Sequence, residues 1–252
     1  MTKSISEFGQ HLIHDIALPE LAKGYTALVQ KLRQNEVLAR LAKEKGIDAV
    51  LSSTSTEIAG LKKSNKELVT TAEKEAERLM TLEVKKHYSE HAIVGEEHGY
   101  TPGSQTRWVF DPVDGTSAMI RTAMAEAFGL PLSQPTPAFG ITVAMVEGSK
   151  ATLGIVTELK SRNGTLVAED TWVGAKGQAT MQNGQPVVLP AAPATLADAT
   201  IASTVPPMMF NTPEKWSGFQ ALQEATGKPC VTDQNCIGFM RVLQNGSGID
   251  AV

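Results

Sequence analysis

Trp108-Val109-Phe110-Asp111-Pro112-Val113-Asp114-Gly115-Thr116-Ser117 has the pattern of an apolar strand that ends in a tight acidic turn. Asp111 and Asp114 are three residues apart across a turn that Pro112 stiffens, so both carboxylates and the Val113 carbonyl can face one pocket. Mg²⁺ prefers oxygen ligands and takes one or two carboxylates, with water and phosphate oxygens completing its coordination. The pattern therefore predicts a cation site. Aspartates that only cap a helix are the alternative explanation.

The residues after the two aspartates favour an anion. Gly115 allows the backbone to approach a ligand closely, and the segment from Thr116 to Ile120 can begin a helix. The first N–H groups of a helix have no partner within it and attract negative charge. This stretch therefore predicts cation ligands that face a bound phosphate.

Two upstream segments add further acids. Ala92-Ile93-Val94 is a short apolar run that leads directly into Gly95-Glu96-Glu97. In open α/β sheets, the carboxyl ends of neighbouring strands meet in one crevice, so the two acidic strand ends are expected at one site. Farther upstream, a helix is predicted from Leu68 onward. Ser64 and Glu67 have capping-box spacing before it, and the four-residue spacing of Glu73 and Glu77 is typical of a solvated helix face.

Together, these segments resemble the inositol monophosphatase superfamily of metal-dependent sugar and polyol phosphatases. The resemblance rests on V-T-x-A-acid-x-x-A-E, then G-E-E, then W-x-x-D-P-V-D-G-T, and it extends from about residue 60 to the C-terminus. It implies a site with three groups of residues: metal ligands Glu96, Asp111, the Val113 carbonyl and Asp114; catalytic residues Thr116 and Glu73; and phosphate-binding residues Gly115, Thr116 and Ser117.

The resemblance also implies a reaction and a fold. The reaction is hydrolysis of a phosphate monoester by a metal-activated water, with roughly two or three Mg²⁺ ions, or Mn²⁺ in their place. The substrate would be a small phosphorylated polyol or sugar-like molecule. Asp233-Gln234-Asn235-Cys236 resembles part of the histidinol-phosphatase-like branch, so inositol phosphate and histidinol phosphate both stay open. The implied fold is α+β, a layered αβαβα sandwich, and the implied assembly is a homodimer.

Three departures from the family pattern bear on activity. Glu73 stands where the family has aspartate. Lys62 or Lys63 stands where the family often has a loop lysine near the metal, and a solvent-facing lysine is the alternative. The insertion at residues 117–138 is a candidate lid, with a surface decoration or a dimer contact as alternatives. The chain ends at Val252, before the family's final ligand aspartate, which favours a C-terminally incomplete domain. A catalytically silent binding or regulatory protein on the same scaffold is the alternative function.

Hydrophobic periodicity gives the domain organisation. The first sixty residues are predicted to be helical, with an interruption at Pro19, and a mainly antiparallel sheet follows from Phe139 to Val188. Asn183-Gly184 is a predicted hairpin turn, and the turn-rich apolar segment from Leu189 predicts a domain boundary. We therefore expect an α+β metal- and phosphate-binding domain at residues 1–190 and a smaller, incomplete α/β domain at residues 191–252.

Composition agrees with a globular protein of mild acidity. The 252 residues carry a net charge of −4, with 27 acidic and 23 basic side chains. The sequence has no stripe of basic residues interleaved with aromatics, so a nucleic-acid partner is not expected. The absence of a long apolar run argues against a membrane partner, and the cytoplasm is the expected location. Cys230 and Cys236 lack metal-site spacing, as expected for idle thiols in a reducing compartment. His11 and His14 fit a helix surface better than a metal clip.

Overall fold

The computed structural model describes residues 3–53, 56–132, 138–189, 191, 193, 195–203, 211–226, 231–232 and 235–243. Contacts along the chain define two compact units, Met1–Asn183 and Gly184–Val252. The domain boundary near residue 190 stays a prediction. No helix in the described part of the chain has both the length and the apolar character needed to cross a bilayer.

The N-terminal region is helical, as predicted. Helix α1 (Ile5–His11) continues through a π-helical segment (Leu12–Ala17) into α2 (Leu18–Arg33). Pro19 lies in the first turn of α2, where its missing N–H is tolerated. The helical path therefore continues through Pro19, and only the hydrogen-bond pattern changes, from π-helical to α-helical, just before it. Two shorter helices follow, α3 (Glu36–Lys45), which Asn35 caps, and α4 (Ile47–Ser52).

Helix α5 (Thr56–His87) is the longest element and corrects one prediction. The helix already includes Ser64, so the predicted start at Leu68 with a Ser64–Glu67 capping box is wrong. The residues from Thr56 to Glu67 are mostly good helix formers without proline, and the isolated Gly60 does not end the helix. The extension places Asn65 and Lys66 within α5.

One sheet dominates the first unit, and its first seven strands lie in the order β2-β1-β3-β4-β5-β6-β7. Among the seven strands described here, only the β1–β3 pair is parallel, which confirms a mainly antiparallel sheet. Asn183 and Gly184 both have positive φ, as the predicted turn requires, and β8 (Gln185–Pro186) follows them. The seven strands are β1 (Ala92–Gly95), β2 (Gly99–Thr101), β3 (Thr106–Asp114), β4 (Gly140–Glu147), β5 (Lys150–Arg162), β6 (Thr165–Ala175) and β7 (Met181–Gln182).

Strand β6 corrects a second prediction. The sequence predicts separate strands near Thr165–Ala168 and Trp172–Ala175, whereas the structure has one continuous strand. The polar residues between them resemble a turn, but Glu169 forms ion pairs with Lys160 and Arg162 on β5. Charged pairs across neighbouring strands stabilise a sheet, so the chain remains extended there.

The core of the first unit lies between the sheet and the helices. Alternating β4 residues Ile141, Val143 and Met145 are buried, which confirms their predicted period of two. Helix α2 contacts α5, β6 and helix α6 (Thr116–Phe128), and its buried Tyr25 is among the largest fully buried side chains. This packing fixes α5 and α6 beside the strands that carry the predicted acids.

The second unit is a small α/β arrangement. A 3₁₀ turn (Leu196–Asp198) precedes β9 (Ala202–Ser203), which pairs in parallel with β10 (Val231–Thr232). Helix α7 (Pro213–Thr226) confirms the helix predicted there, and α8 (Cys236–Phe239) continues as a 3₁₀ turn (Met240–Leu243). Asn235 caps α8 through the N–H of Gly238, a local reason for asparagine at this position. The predicted closing strand lies outside the described residues.

Candidate active site

The turn from β3 to α6 has the geometry that its sequence predicts. The pairing of β3 with β4 shifts register between Asp111 and Asp114, so the strand bulges at Pro112, which has no N–H to donate. Gly115 follows with φ 98° and ψ 37°, in the left-handed region that favours glycine. Helix α6 then begins at Thr116. The bulge and the left-handed residue turn the chain sharply from the strand end into the helix.

The two acidic strand ends lie side by side. In the parallel pairing of β1 with β3, Gly95 is opposite Phe110, and the N–H of Glu96 donates to the Phe110 carbonyl at 3.2 Å. The carboxyl groups of Glu96 and Asp111 come within hydrogen-bonding reach of each other, and the charge of Asp114 also acts on Asp111. The structure therefore forms an acidic cluster of Glu96 and Asp111, with Asp114 near enough for its charge to act on Asp111.

Asp111 has an unusual environment for a carboxylate. Burial raises its pKa well above the ordinary value, and the neighbouring Glu96 and Asp114 raise it further. The N–H of Val113 donates to Oδ1 of Asp111 at 3.0 Å and opposes this rise. Partly buried acids that face one another are disfavoured in their charged forms, and a positive ion between them would relieve that repulsion.

The cluster fits a divalent cation through its chemistry more than through a preformed cage. Across the residues with described positions, no group of three His, Cys, Asp or Glu side chains has metal-binding geometry. The oxygen-only donors Glu96, Asp111 and the Val113 carbonyl still suit Mg²⁺, which needs only one or two carboxylates when waters and phosphate oxygens supply its remaining ligands.

Glu73 and Thr116 form a direct contact between α5 and α6. The Thr116 hydroxyl donates to Oε1 of Glu73 at 2.8 Å and lies 3.3 Å from the Val113 carbonyl oxygen. Burial raises the pKa of Glu73 to about 7, while the hydrogen bond from Thr116 lowers it. The charges of Glu97 and Glu96 raise this pKa further, and Lys66 lowers it.

The burial of Glu73 and Glu77 shows that they do not form a solvated helix face. Glu73 is 4% exposed and Glu77 is 1% exposed. Both oxygens of Glu77 accept hydrogen bonds, from the N–H of Glu97 at 2.9 Å and of His98 at 2.8 Å. The face of α5 that carries these acids packs on the end of β1 and the start of α6, which a helical period alone does not reveal.

The start of α6 suits the predicted phosphate contacts. Gly115 gives no side-chain cap, and the first turn of the helix contains no acidic residue, so no side chain of that turn adds a negative charge beside its N–H groups. Ser117 is exposed and also lines a cavity of about 320 Å³ along α6. The other residues lining that cavity are Leu38, Val50, Leu51, Asn65, Lys66, Ile120, Arg121 and Met124.

The remaining sequence-based candidates lie elsewhere or outside the described residues. Exposed Lys63 pairs with Glu67 at 4.0 Å, and the side chain of Lys62 is not described. His11 contacts Asp15 and Glu83, whereas the His14 ring lies near Thr171 on β6. Residues 133–137 of the insertion, and Cys230, fall outside the described residues. The lid stays a prediction.

Sequence reasoning missed Lys66 and Glu77. Lys66 lies seven residues before Glu73 on α5, and its charge favours the ionised carboxylate. The sequence pattern places Glu77 only as the final glutamate of V-T-x-A-acid-x-x-A-E and on a predicted solvated helix face, without a role at the site. Its four-residue spacing from Glu73 places both carboxylates on one face of α5.

Comparisons with known proteins show the family of this chain. The model of the inositol monophosphatase family matches residues 25–235. The Arabidopsis thaliana protein named bifunctional phosphatase IMPL2, chloroplastic, is 27% identical over 150 residues, covering 58% of this chain and 37% of that protein. The Thermotoga maritima fructose-1,6-bisphosphatase/inositol-1-monophosphatase is 32% identical over 105 residues, covering 42% of this chain and 35% of that protein. The Vibrio cholerae Nus factor SuhB is 32% identical over 88 residues, covering 34% of this chain and 33% of that protein. The matched region thus spans only about a third of the length of each relative.

Solved structures show the same fold. An inositol monophosphatase from Zymomonas mobilis aligns with a TM-score of 0.53 and 23% identity, covering 94% of this chain and 74% of that chain. The extragenic suppressor protein suhB from Bartonella henselae aligns with a TM-score of 0.54 and 13% identity, covering 96% and 72%. These likenesses confirm the predicted α+β sandwich. Because the family model matches most of the sequence, this chain belongs to the inositol monophosphatase family.

Proposed function

We propose that this protein is a Mg²⁺-dependent phosphomonoesterase that acts on a small phosphorylated polyol or sugar-like substrate. The observation that carries the proposal is the Thr116–Glu73 hydrogen bond of 2.8 Å beside the clustered Glu96 and Asp111 carboxyl groups. Family membership supports a phosphatase at the general level. Inositol phosphates and histidinol phosphate are the substrates to test first.

The chain's own residues divide the chemical work. Glu73 accepts a hydrogen bond from the Thr116 hydroxyl and orients it, so that the oxygen of Thr116 can accept a hydrogen bond from a water. With its pKa near 7, Glu73 can exchange a proton close to neutral pH. The N–H groups of Gly115, Thr116 and Ser117 would orient the phosphate at the start of α6.

Glu96, Asp111, Asp114 and the Val113 carbonyl would hold Mg²⁺, with Mn²⁺ as a substitute. Once bound, the ion would lower the pKa of a water and neutralise phosphoryl oxygens. Clustered acids without such an ion would repel an anionic substrate, so the proposal requires a cation for substrate binding as well as for turnover. A homodimer in the cytoplasm completes the proposal by analogy with the family.

Phosphate release from a panel of esters tests the proposal. The panel contains inositol 1-phosphate, histidinol phosphate and fructose 1,6-bisphosphate, each with Mg²⁺ or with EDTA. We expect release with Mg²⁺ alone and none from Asp111→Asn, which removes a ligand charge. Asp15→Asn changes an exposed aspartate far along the sequence and serves as the matched control. Equal release by wild type and Asp111→Asn would reject the site.

A catalytically silent binding protein on the same scaffold is the second candidate. Two observations favour it: glutamate in place of aspartate at position 73, and a relative whose printed name is a Nus factor and not an enzyme. Such a protein would retain the fold and bind phosphate esters without cleaving them. Ester binding measured by calorimetry, together with no release under any cation, would favour this candidate over the enzyme.

A further inference from the structure

We infer that Glu77 is a positioning residue that holds the Gly95–His98 turn in place and thereby aims Glu96 at Asp111. The inference rests on the proposed function, because it concerns the same cation site. Glu77 lies one helical turn after Glu73 on α5 and is 1% exposed. A charged side chain so deeply buried is costly unless hydrogen bonds compensate for its lost hydration.

The compensation comes from the turn after β1. Oε2 of Glu77 accepts from the N–H of Glu97 at 2.9 Å, and Oε1 accepts from the N–H of His98 at 2.8 Å. Nδ1 of His98 lies 3.0 Å from the same Oε1. Hydrogen bonds between a carboxylate and N–H groups at these distances are short and strong. Both oxygens already accept hydrogen bonds from the backbone, so Glu77 supports the turn and is not a metal ligand. We call this set of hydrogen bonds from Glu97 and His98 to Glu77 the brace.

Gly95 on β1 lies directly beside the carboxylate of Glu77. A Cβ atom at this position would clash with the carboxylate of Glu77, so a side chain there would displace the glutamate. The absence of a side chain lets the carboxylate pass beside β1 and reach the N–H groups beyond it. This contact supplies a physical reason for glycine in Gly95-Glu96-Glu97.

The brace determines where Glu96 points. The N–H of Glu96 is held by the Phe110 carbonyl on β3, and the next two N–H groups are held by Glu77 on α5. The backbone on both sides of the Glu96 side chain is therefore fixed, with its carboxyl group against Asp111. Supporting side chains of this kind affect metal affinity although they do not touch the ion.

The test is Mn²⁺ affinity, measured by electron paramagnetic resonance on the whole chain. In Glu77→Gln, an amide NH₂ replaces one acceptor and faces a backbone N–H. We expect Mn²⁺ to bind about 10- to 100-fold more weakly, the range for losing a supporting partner. Glu75→Gln is the matched control, because Glu75 is on the same helix but half-exposed and paired with Arg78, and its affinity should stay within about twofold of wild type.

A double-mutant cycle separates positioning from a general loss of structure. Gly95→Ala should weaken Mn²⁺ binding through its clash with Glu77, and Glu77→Asp should weaken it by shortening the brace. In the combined variant, the shorter acid makes room for the methyl group, so its affinity should exceed the value expected from adding the two losses. Additive losses, or unchanged affinity in a folded Glu77→Gln, would overturn the inference.

Wild-type binding distinguishes failure of the brace from failure of the proposed function. If wild type binds Mn²⁺ and releases phosphate while folded Glu77→Gln binds equally well, only the positioning role is wrong. If wild type neither binds Mn²⁺ nor releases phosphate, the proposed function fails, and the brace fails with it. Hydrogen exchange of the Glu97 and His98 amides provides a second readout. This exchange should be faster in Glu77→Gln and unchanged in the control Glu75→Gln.

Discussion

Glu73 and Glu77 are one turn apart on α5, yet they meet different partners. Glu77 receives two backbone N–H donors and lies beside a ring nitrogen, whereas Glu73 receives one hydroxyl and faces the charges of Glu97 and Glu96. A carboxyl group that accepts hydrogen bonds from several fixed donors orders the chain around it. A buried carboxylate with one donor and acidic neighbours can exchange protons near neutral pH. Under the proposed function, one helix face thus combines a structural acid, Glu77, with a reactive one, Glu73.

Removing the hydroxyl between the two helices should give the largest effect on this contrast. Thr116→Ala leaves Glu73 without its donor and leaves a reacting water without its acceptor. We expect Mg²⁺-dependent turnover to fall by about 10²- to 10⁴-fold, the usual range for losing a proton-transfer group, with little change in Mn²⁺ affinity. Thr116→Ser retains the hydroxyl and should recover most of the activity. Equal losses in both variants would place the effect in the methyl group.

The pH dependence of stability should distinguish Glu73 from its neighbours. Burial raises the pKa of Glu73 from 4.5 to about 7 in the folded protein, so folding favours its protonated form. That contribution is fully present below about pH 4.5 and is lost as the pH rises through about 7. At pH 8 without divalent cations, Glu73→Gln should therefore be more stable than wild type by on the order of 3 kcal/mol.

Urea unfolding from pH 4 to pH 8 measures this difference. The two proteins should have similar free energies of unfolding at the acidic end and diverge as the pH increases. Glu75→Gln should not become more stable than wild type as the pH rises, since the hydrogen bond from Arg78 lowers the pKa of the half-exposed Glu75. A constant difference between wild type and Glu73→Gln at every pH would show that Glu73 does not titrate in this range.

Shortening the reactive acid should have a smaller effect. Glu73→Asp removes one buried methylene and withdraws the carboxylate from Thr116, which can still donate to the Val113 carbonyl. We expect a loss of about 1 kcal/mol in unfolding free energy and a modest fall in turnover. Higher turnover in Glu73→Asp would mean instead that α5 and α6 are close enough for an aspartate at position 73, the residue that the family has there, to serve Thr116.

Removing one donor from the structural acid should give the smallest effect. His98→Ala leaves both backbone N–H bonds to Glu77 in place. We expect a loss of about 0.5–1.5 kcal/mol, typical of one hydrogen bond, and Mn²⁺ affinity close to that of wild type. Thermal unfolding and Mn²⁺ titration measure the two quantities. A loss of affinity as large as that of Glu77→Gln would show that the ring, more than the backbone contacts, holds the turn.

The parts of the site that could be predicted from the sequence are those whose residues lie close together along the chain. Asp111, Pro112 and Gly115 lie within five residues, so their turn chemistry could be inferred without knowing what surrounds them. The alternation in β4 likewise identified its buried face. The mainly antiparallel sheet and the helical N-terminus follow from the same short-range patterns.

The parts that sequence reasoning missed depend on distant packing. Acids spaced by four residues have the same pattern on a solvated face as on a face that packs against a turn, so the burial of Glu73 and Glu77 was not predictable from α5 alone. The middle of β6 pairs with β5, and its Glu169 forms ion pairs with Lys160 and Arg162 on that neighbouring strand. In both regions, a charged residue is stabilised by a partner from another element.

The central claim is that acids from β1 and β3 gather a divalent cation beside the Thr116–Glu73 pair. A crystal of the protein soaked in Mn²⁺, with anomalous difference density measured at the manganese edge, tests it most directly. We expect a peak in contact with the carboxylates of Glu96 and Asp111 and with the Val113 carbonyl, and no such peak in Asp111→Asn. A fully soaked crystal with no peak at these oxygens, or one undiminished in Asp111→Asn, would contradict it.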